Sequence, residues 1–197
     1  YGMVQTIMAD FPEFLPNTYD QYYLYPDYKV SHLDPNFTRA DEVMAGREKR
    51  VFTECAEVIK EGKLGDKFHA ISDAHAEMMI KVAEAIAYNK NDRHILIVEN
   101  NGAIANMQDD AMVEVVCELG INGPRPMRVG NIPQFNLGLL VNQVSCEKLI
   151  VDAYFENSYQ KALEAFTLNR LINDAKKARK VLDALIEANK GMWPELR

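Results

Sequence analysis

The sequence predicts an α+β fold, helix-dominated with a small sheet, and three observations carry that prediction. Apolar residues recur at three- and four-residue steps over long stretches, the spacing of a helix with one apolar stripe. The run His94-Ile95-Leu96-Ile97-Val98 is instead short, continuous and rich in β-branched residues, which suits a buried strand. Two further short runs, Val113 to Leu119 and Met127 to Val129, lie around a turn at Gly120–Pro126 and read as neighbouring strands. No internal repeat or low-complexity tract interrupts the pattern.

The elements follow in order. Residues 1–37 read as an irregular or extended arm, because Pro12, Pro16, Pro26 and Pro35 recur too often for a helix interior. Tyr1, Tyr19, Tyr22, Tyr23, Tyr25 and Tyr28 lie in this arm. They read either as aromatic packing onto a neighbouring surface or as a site lined with phenols, since Tyr joins an apolar body to a polar tip. Residues 38–197 read as one α+β domain. A helix is expected from Thr38 to about Lys60, with Asp41 and Glu42 in its first turn and Val51, Phe52, Cys55, Val58 and Ile59 as its buried stripe. Gly62 and Gly65 break it. Ser72 then caps a second helix to about Tyr88, with Met79, Ile80, Ala83 and Ile86 inward.

After the strand at 94–98, Asn100-Asn101-Gly102 reads as a loop. It is either functional or a tight turn that needs residues tolerant of positive φ. Helical spacing returns from about Pro133 to Phe166, as one long element or two, with Leu140, Val144, Leu149, Ala153 and Leu163 as its stripe. Asn173 caps a last helix that stops at Gly191, with Val181, Leu182, Leu185 and Ile186 inward.

Charge and composition narrow the function classes. The chain has 197 residues, 22 Lys+Arg against 29 Asp+Glu, and a net charge of −7. That acidic balance argues against a general nucleic-acid binder, which needs surplus cations for phosphate. No apolar run approaches the roughly 18 residues of a membrane span, and Tyr1-Gly2-Met3-Val4 does not open a secretory signal. The absence of an initiator methionine points to a processed chain or a piece of a longer one. Cys55, Cys117 and Cys146 are odd in number, widely spaced and without a C-x-x-C pair, which suits a reducing cytoplasm. Asn36-Phe37-Thr38 matches a glycosylation acceptor by chance.

Stand-alone active-site motifs are missing: no G-x-G-x-x-G, P-loop, H-E-x-x-H or G-x-S-x-G occurs. His69, Asp73, His75 and Glu77 match no standard ligand spacing and read as solvated or capping groups. Lys176-Lys177-Ala178-Arg179-Lys180 reads as a solvated helix face.

Specific strings go further. Leu15-Pro16-Asn17-Thr18-Tyr19 and Gln21-Tyr22-Tyr23-Leu24-Tyr25-Pro26-Asp27 resemble the 6-phospho-α-glucosidase branch of glycoside hydrolase family 4. So do Thr38-Arg39-Ala40-Asp41-Glu42-Val43-Met44, Ala85-Ile86-Ala87-Tyr88-Asn89 and Ile97-Val98-Glu99-Asn100-Asn101-Gly102. Val129-Gly130-Asn131-Ile132-Pro133-Gln134-Phe135 and the ending Trp193-Pro194-Glu195-Leu196 complete the series. One departure is Val116 before Cys117, where the family usually has proline.

Because members of the family are more than twice this length, the chain resembles their C-terminal portion. That implies the C-terminal domain of the lactate/malate dehydrogenase-like family 4 enzymes, with the dinucleotide-binding half, its glycine-rich turn and its metal ligands elsewhere. No metal ligand is expected in this chain. The resemblance implies bound NAD and a divalent metal, usually Mn2+. It also implies a reaction of oxidation at C3 of the sugar, loss of the C2 proton, elimination of the glycosidic oxygen, hydration and re-reduction, outside the usual two-carboxylate scheme. Tyr19 aligns with the base that removes the C2 proton. A phenol's ordinary pKa is about 10, so a metal or cation must favour the phenolate. Arg39 aligns with the residue that binds the 6-phosphate.

The resemblance further implies phosphorylated α-disaccharides such as maltose 6-phosphate as substrates, a cytoplasmic homodimer or homotetramer, and an isolated chain without activity. Three alternatives stay open: a 6-phospho-β-glucosidase or α-galactosidase of the same family, a non-catalytic oligomerisation domain, and a hydroxy-acid dehydrogenase. The last would need a His beside an acidic partner.

Overall fold

A computed structural model describes residues 2–63 and 74–197. In chain order the elements are α1 (Gly2–Asp10), α2 (Asp20–Leu24), α3 (Pro26–Ser31), α4 (Arg39–Glu61), α5 (Ala74–Ala87), β1 (Asp92–Glu99), β2 (Met112–Gly120), β3 (Gly123–Pro126), α6 (Gln134–Glu156), α7 (Tyr159–Leu168) and α8 (Ala175–Ala188). The strands form one antiparallel sheet in the order β1-β2-β3. The α+β, helix-dominated class is the one observed. One compact unit holds the described residues up to Asp92 together with Leu119–Gly123. Arg93–Glu118 and Pro124–Arg197 make a second.

Within the first unit, the stretch expected to be irregular forms three short helices. Its prolines space these helices instead of forbidding them. Pro26 takes the first position of α3, where its missing N–H costs nothing, and Pro12, Pro16 and Pro35 fall between elements. α1 buries Ile7 completely and packs on α2, which packs on α3.

α4 has the ends read from sequence. Thr38 caps it in a capping box: its side chain accepts from the Asp41 N–H while the Asp41 carboxylate accepts from the Thr38 N–H at 2.8 Å. Gly62, at φ 67°, closes it in the left-handed conformation that glycine adopts without strain.

The expected burial of its stripe does not occur. No residue of α4 is buried, and Phe52 and Ile59 are 67% and 83% exposed. α5 behaves alike, with Met79 and Ile80 69% and 62% exposed, Ala83 and Ile86 also outward, and Ala85 buried in their place. Apolar periodicity reports which face seeks cover, and here it is covered only in part, with Val51, Cys55 and Val58 half-buried. Ser72 and Gly65 lie outside the described residues.

The turn after α5 has Asn89 and Asn91 at φ 50° and 54°. The Asn89 side-chain oxygen accepts the Ile121 N–H at 3.0 Å, which ties this turn to the β2–β3 hairpin. Gly120 makes the approach possible: a Cβ there would stand 2.6 Å from the Asn89 oxygen and 2.8 Å from that of Asn91.

In the second unit the sheet alternates instead of burying β1 on both faces. Val98 points into the core while Ile95 and Ile97 are 58% and 68% exposed. β2 directs Val113, Val115 and Cys117 inward. An antiparallel sheet needs cover on one face only, and the short apolar run concealed that period of two. The third strand is Gly123–Pro126, not Met127–Val129, and a two-residue hairpin at Ile121-Asn122 precedes it. Pro124 and Pro126 sit on this edge strand because no ladder donor is required there. The Met127 N–H still bonds the Val116 carbonyl at 2.9 Å, whereas Val129 turns away to Ala103 at 2.7 Å.

Val144 of α6 joins this core, and Cys117 and Cys146 are buried free thiols. The long helical stretch is two elements. Asn157, at φ 54°, ends α6, and Ser158 caps α7 by accepting the Lys161 N–H at 3.3 Å. Leu140 is 40% exposed, while Val144 and Ala153 are buried as expected. The cap of α8 is Asp174, which accepts the Lys177 N–H at 2.7 Å. Asn173 instead takes a left-handed turn at φ 45°. Lys176, Lys177, Arg179 and Lys180 face solvent around buried Ala178, and the helix ends at Ala188, short of Gly191.

Candidate functional site

Tyr19 is the N-cap of α2 and is 68% exposed. Its backbone is fixed locally. The Tyr19 N–H donates to the Asn17 side-chain oxygen at 2.7 Å, and the Asn17 N–H donates to the Asp20 carboxylate at 2.8 Å. These two side-chain turns fix the backbone at Tyr19 and leave its phenol exposed. Its ring stacks on Tyr22, with centroids 6.3 Å apart and planes at 29°. The Lys29 ammonium lies 4.9 Å from the centre of the Tyr22 ring. Deeper in the same unit, the Tyr25 hydroxyl donates to Asp10, and that bond raises the phenol above its ordinary range.

Arg39 opens α4 and points into solvent, its side chain 73% exposed. Its guanidinium pairs with Glu42 at 2.5 Å. The hydrogen bond and opposite charge of Glu42 hold its proton more firmly than usual, and the Tyr19 and Tyr22 phenols add to the effect. The two residues singled out in the sequence are both exposed in the same unit.

The first turn of α4 also presents backbone N–H groups beside that guanidinium, an arrangement suited to an anion. Among side chains of this neighbourhood, sequence reasoning missed Lys29 and the pairing of Glu42 with Arg39. Glu42 at i+3 was legible as a partner. Lys29 was not, since it reaches Tyr22 only after the chain turns at Tyr25.

Asn100 resolves as a structural group. It is fully buried. Its amide nitrogen reaches the carbonyls of Ile104 at 3.0 Å, Met107 at 3.2 Å and Gln108 at 3.0 Å, and its oxygen accepts the Ile104 N–H at 2.7 Å. Asn101 and Gly102 have φ 42° and 79°, so the tight-turn reading of this loop holds. His75 lies exposed on α5, while His69 and Asp73 fall outside the described residues. Among the described residues no three His, Cys, Asp or Glu side chains gather into a group suited to a metal ion. No helix among them is long and apolar enough to cross a membrane.

Comparison with known proteins gives this geometry a context. Residues 2–172 match the C-terminal domain of family 4 glycosyl hydrolases. The 6-phospho-alpha-glucosidase of Leptotrichia buccalis is 51% identical over 198 aligned residues, covering 100% of this chain and 44% of that protein. A 6-phospho-alpha-glucosidase from gut microorganisms, solved in complex with NAD and Mn2+, is 81% identical with a TM-score of 0.93. The match covers 100% of this chain and 45% of that one. A second, solved with NAD and glucose-6-phosphate, is 47% identical with a TM-score of 0.91, over 99% of this chain and 44% of its own. The chain thus spans less than half the length of these relatives.

Proposed function

This chain belongs to the family 4 glycosyl hydrolases, as their C-terminal domain, and from that premise we propose that it serves a 6-phospho-α-glucosidase. In that reading Tyr19 is the base that takes the C2 proton of the sugar, and Arg39 with the first turn of α4 holds the 6-phosphate. Residues 1–37 are the arm that carries the base, and 38–197 the domain that carries the phosphate seat. The observation that supports the proposal is that Tyr19, at the cap of α2, and Arg39, at the head of α4, both stand exposed in one compact unit. One ligand bearing both an anion and an acidic carbon could meet both groups.

NAD and Mn2+ belong to the proposal through the relatives' structures. When bound, they supply the hydride acceptor and the polarisation that make a C2 proton acidic. In this reading the metal is held by the half of the relatives that lies beyond this match. This chain's own work is to seat the phosphate, orient the ring and receive one proton. Substrates are phosphorylated α-disaccharides, and the isolated chain is inactive. The cytoplasm is the compartment that suits free Cys55, Cys117 and Cys146, and a homodimer or homotetramer is the assembly.

The test is Tyr19→Phe in the complete enzyme, assayed with nitrophenyl α- and β-glucoside 6-phosphates plus NAD and Mn2+. The expected result is hydrolysis of the α-anomer by the parent. The variant's kcat falls by roughly 10²–10⁴-fold, the worth of a positioned base, with KM little changed. Equal rates for variant and parent overturn the assignment of the base.

A further inference from the structure

We propose that Lys29 is a positioning residue for the Tyr19 phenol, acting through the ring of Tyr22. The inference rests on the reading of Tyr19 as the base.

The Tyr19 backbone is fixed by Asn17, but a phenol that is 68% exposed can still turn about its side-chain bonds. Its recorded ring contact is Tyr22, three residues on, with the Tyr22 N–H bonded to the Tyr19 carbonyl at 2.9 Å. Tyr22 therefore sets the Tyr19 ring only as well as Tyr22 is itself held. The Lys29 ammonium, 4.9 Å from its centroid, lies inside the roughly 6 Å range of a cation–π contact. The chain Lys29–Tyr22–Tyr19 runs from α3 across the Tyr25 corner to the cap of α2.

The surrounding charges leave Lys29 to this task. Three carboxylates of this unit have other partners. Asp10 of α1 accepts from the Tyr25 hydroxyl, Asp20 of α2 accepts from the Asn17 N–H, and Glu42 of α4 pairs with Arg39. No carboxylate among the described residues forms an ion pair with Lys29.

The experiment uses the complete enzyme with nitrophenyl α-glucoside 6-phosphate, and the variants Lys29→Met, Lys29→Arg, Tyr22→Leu, the double variant Lys29→Met/Tyr22→Leu, and Tyr19→Phe. Lys29→Met is expected to lower kcat roughly two- to fivefold, the scale of an exposed cation–π contact, with KM unchanged. Lys29→Arg restores the rate, because a guanidinium also sits over a ring. In the double variant the Lys29 change adds no further loss, since its route has been removed. Additive losses, a change confined to KM, failed rescue by arginine, or an unaltered kcat in Lys29→Met each overturn the proposal. Should Tyr19→Phe keep full activity, the base reading fails and this inference with it. Should Tyr19→Phe abolish turnover while Lys29→Met does nothing, only the role of Lys29 fails. Circular dichroism of each variant separates lost orientation from lost folding.

Discussion

The Arg39 guanidinium and the Glu42 carboxylate, one turn apart on α4, meet at 2.5 Å at the helix end proposed to seat a phosphate. A carboxylate there occupies the donors that an incoming dianion would use. Glu42→Gln should therefore tighten binding of glucose 6-phosphate in the complete enzyme about two- to fivefold, the range of an exposed ion pair. Arg39→Gln should weaken it in both backgrounds. Calorimetric titration of the variants decides the matter. Weaker binding by Glu42→Gln would mean that Glu42 orients Arg39 instead of competing for it.

Asn100 spans a loop that has no ladder of its own. Its amide answers three carbonyls and one N–H across residues 104–108. Asn100→Asp keeps the shape but turns the donating side into an acceptor facing those carbonyls. The expected loss is about 3 kcal/mol or more of unfolding free energy, since buried groups left unpaired cost about 1–3 kcal/mol each. Urea unfolding of variant and parent measures it.

Gly120→Ala should destabilise the hairpin through contact, because the added methyl meets the Asn89 and Asn91 oxygens inside 3.0 Å. Moving Asn89 aside forfeits its bond to the Ile121 N–H, worth about 1 kcal/mol. Thermal unfolding should show a lower Tm, and Asn91→Ala in the same chain should recover part of the loss.

Asp41 carries a pH prediction. Hydrogen bonds from the Thr38 side chain and backbone hold its carboxyl below the usual range. A lowered folded-state pKa contributes stability that is complete above the unfolded value of about 3.9 and is lost as pH falls through the folded one. The first turn of α4 should stay helical from neutral pH down to about that value and loosen below it. Asp41→Asn should remove this dependence on acid. NMR shifts of the residue 39–42 amides across an acid titration test both statements.

The legible parts were those settled within a few residues of sequence. Thr38, Asp41 and Gly62 announced both ends of α4 because caps are local. The Asn157–Ser158 break between α6 and α7 was only half visible, since one asparagine can continue a helix or end it. Misplacement of the third strand came from treating Pro124 and Pro126 as turn residues, when an edge strand accepts them. The open stripe on α4 lay beyond sequence reasoning altogether, because Phe52 and Ile59 advertise a partner without saying where it resides. Tyr19 and Arg39 came from family resemblance. The link of Tyr22 to Lys29 depends on how α2 and α3 fold within one unit.

α4 carries Arg39 at its head and Phe52 and Ile59 about 20 Å and 30 Å farther along its axis, at 1.5 Å per residue. Those separations exceed the roughly 8 Å over which charge is felt at physiological salt. A protein engineer could thus repaint the distal turns with glutamate or lysine to curb clumping, and the arginine end would not register the change.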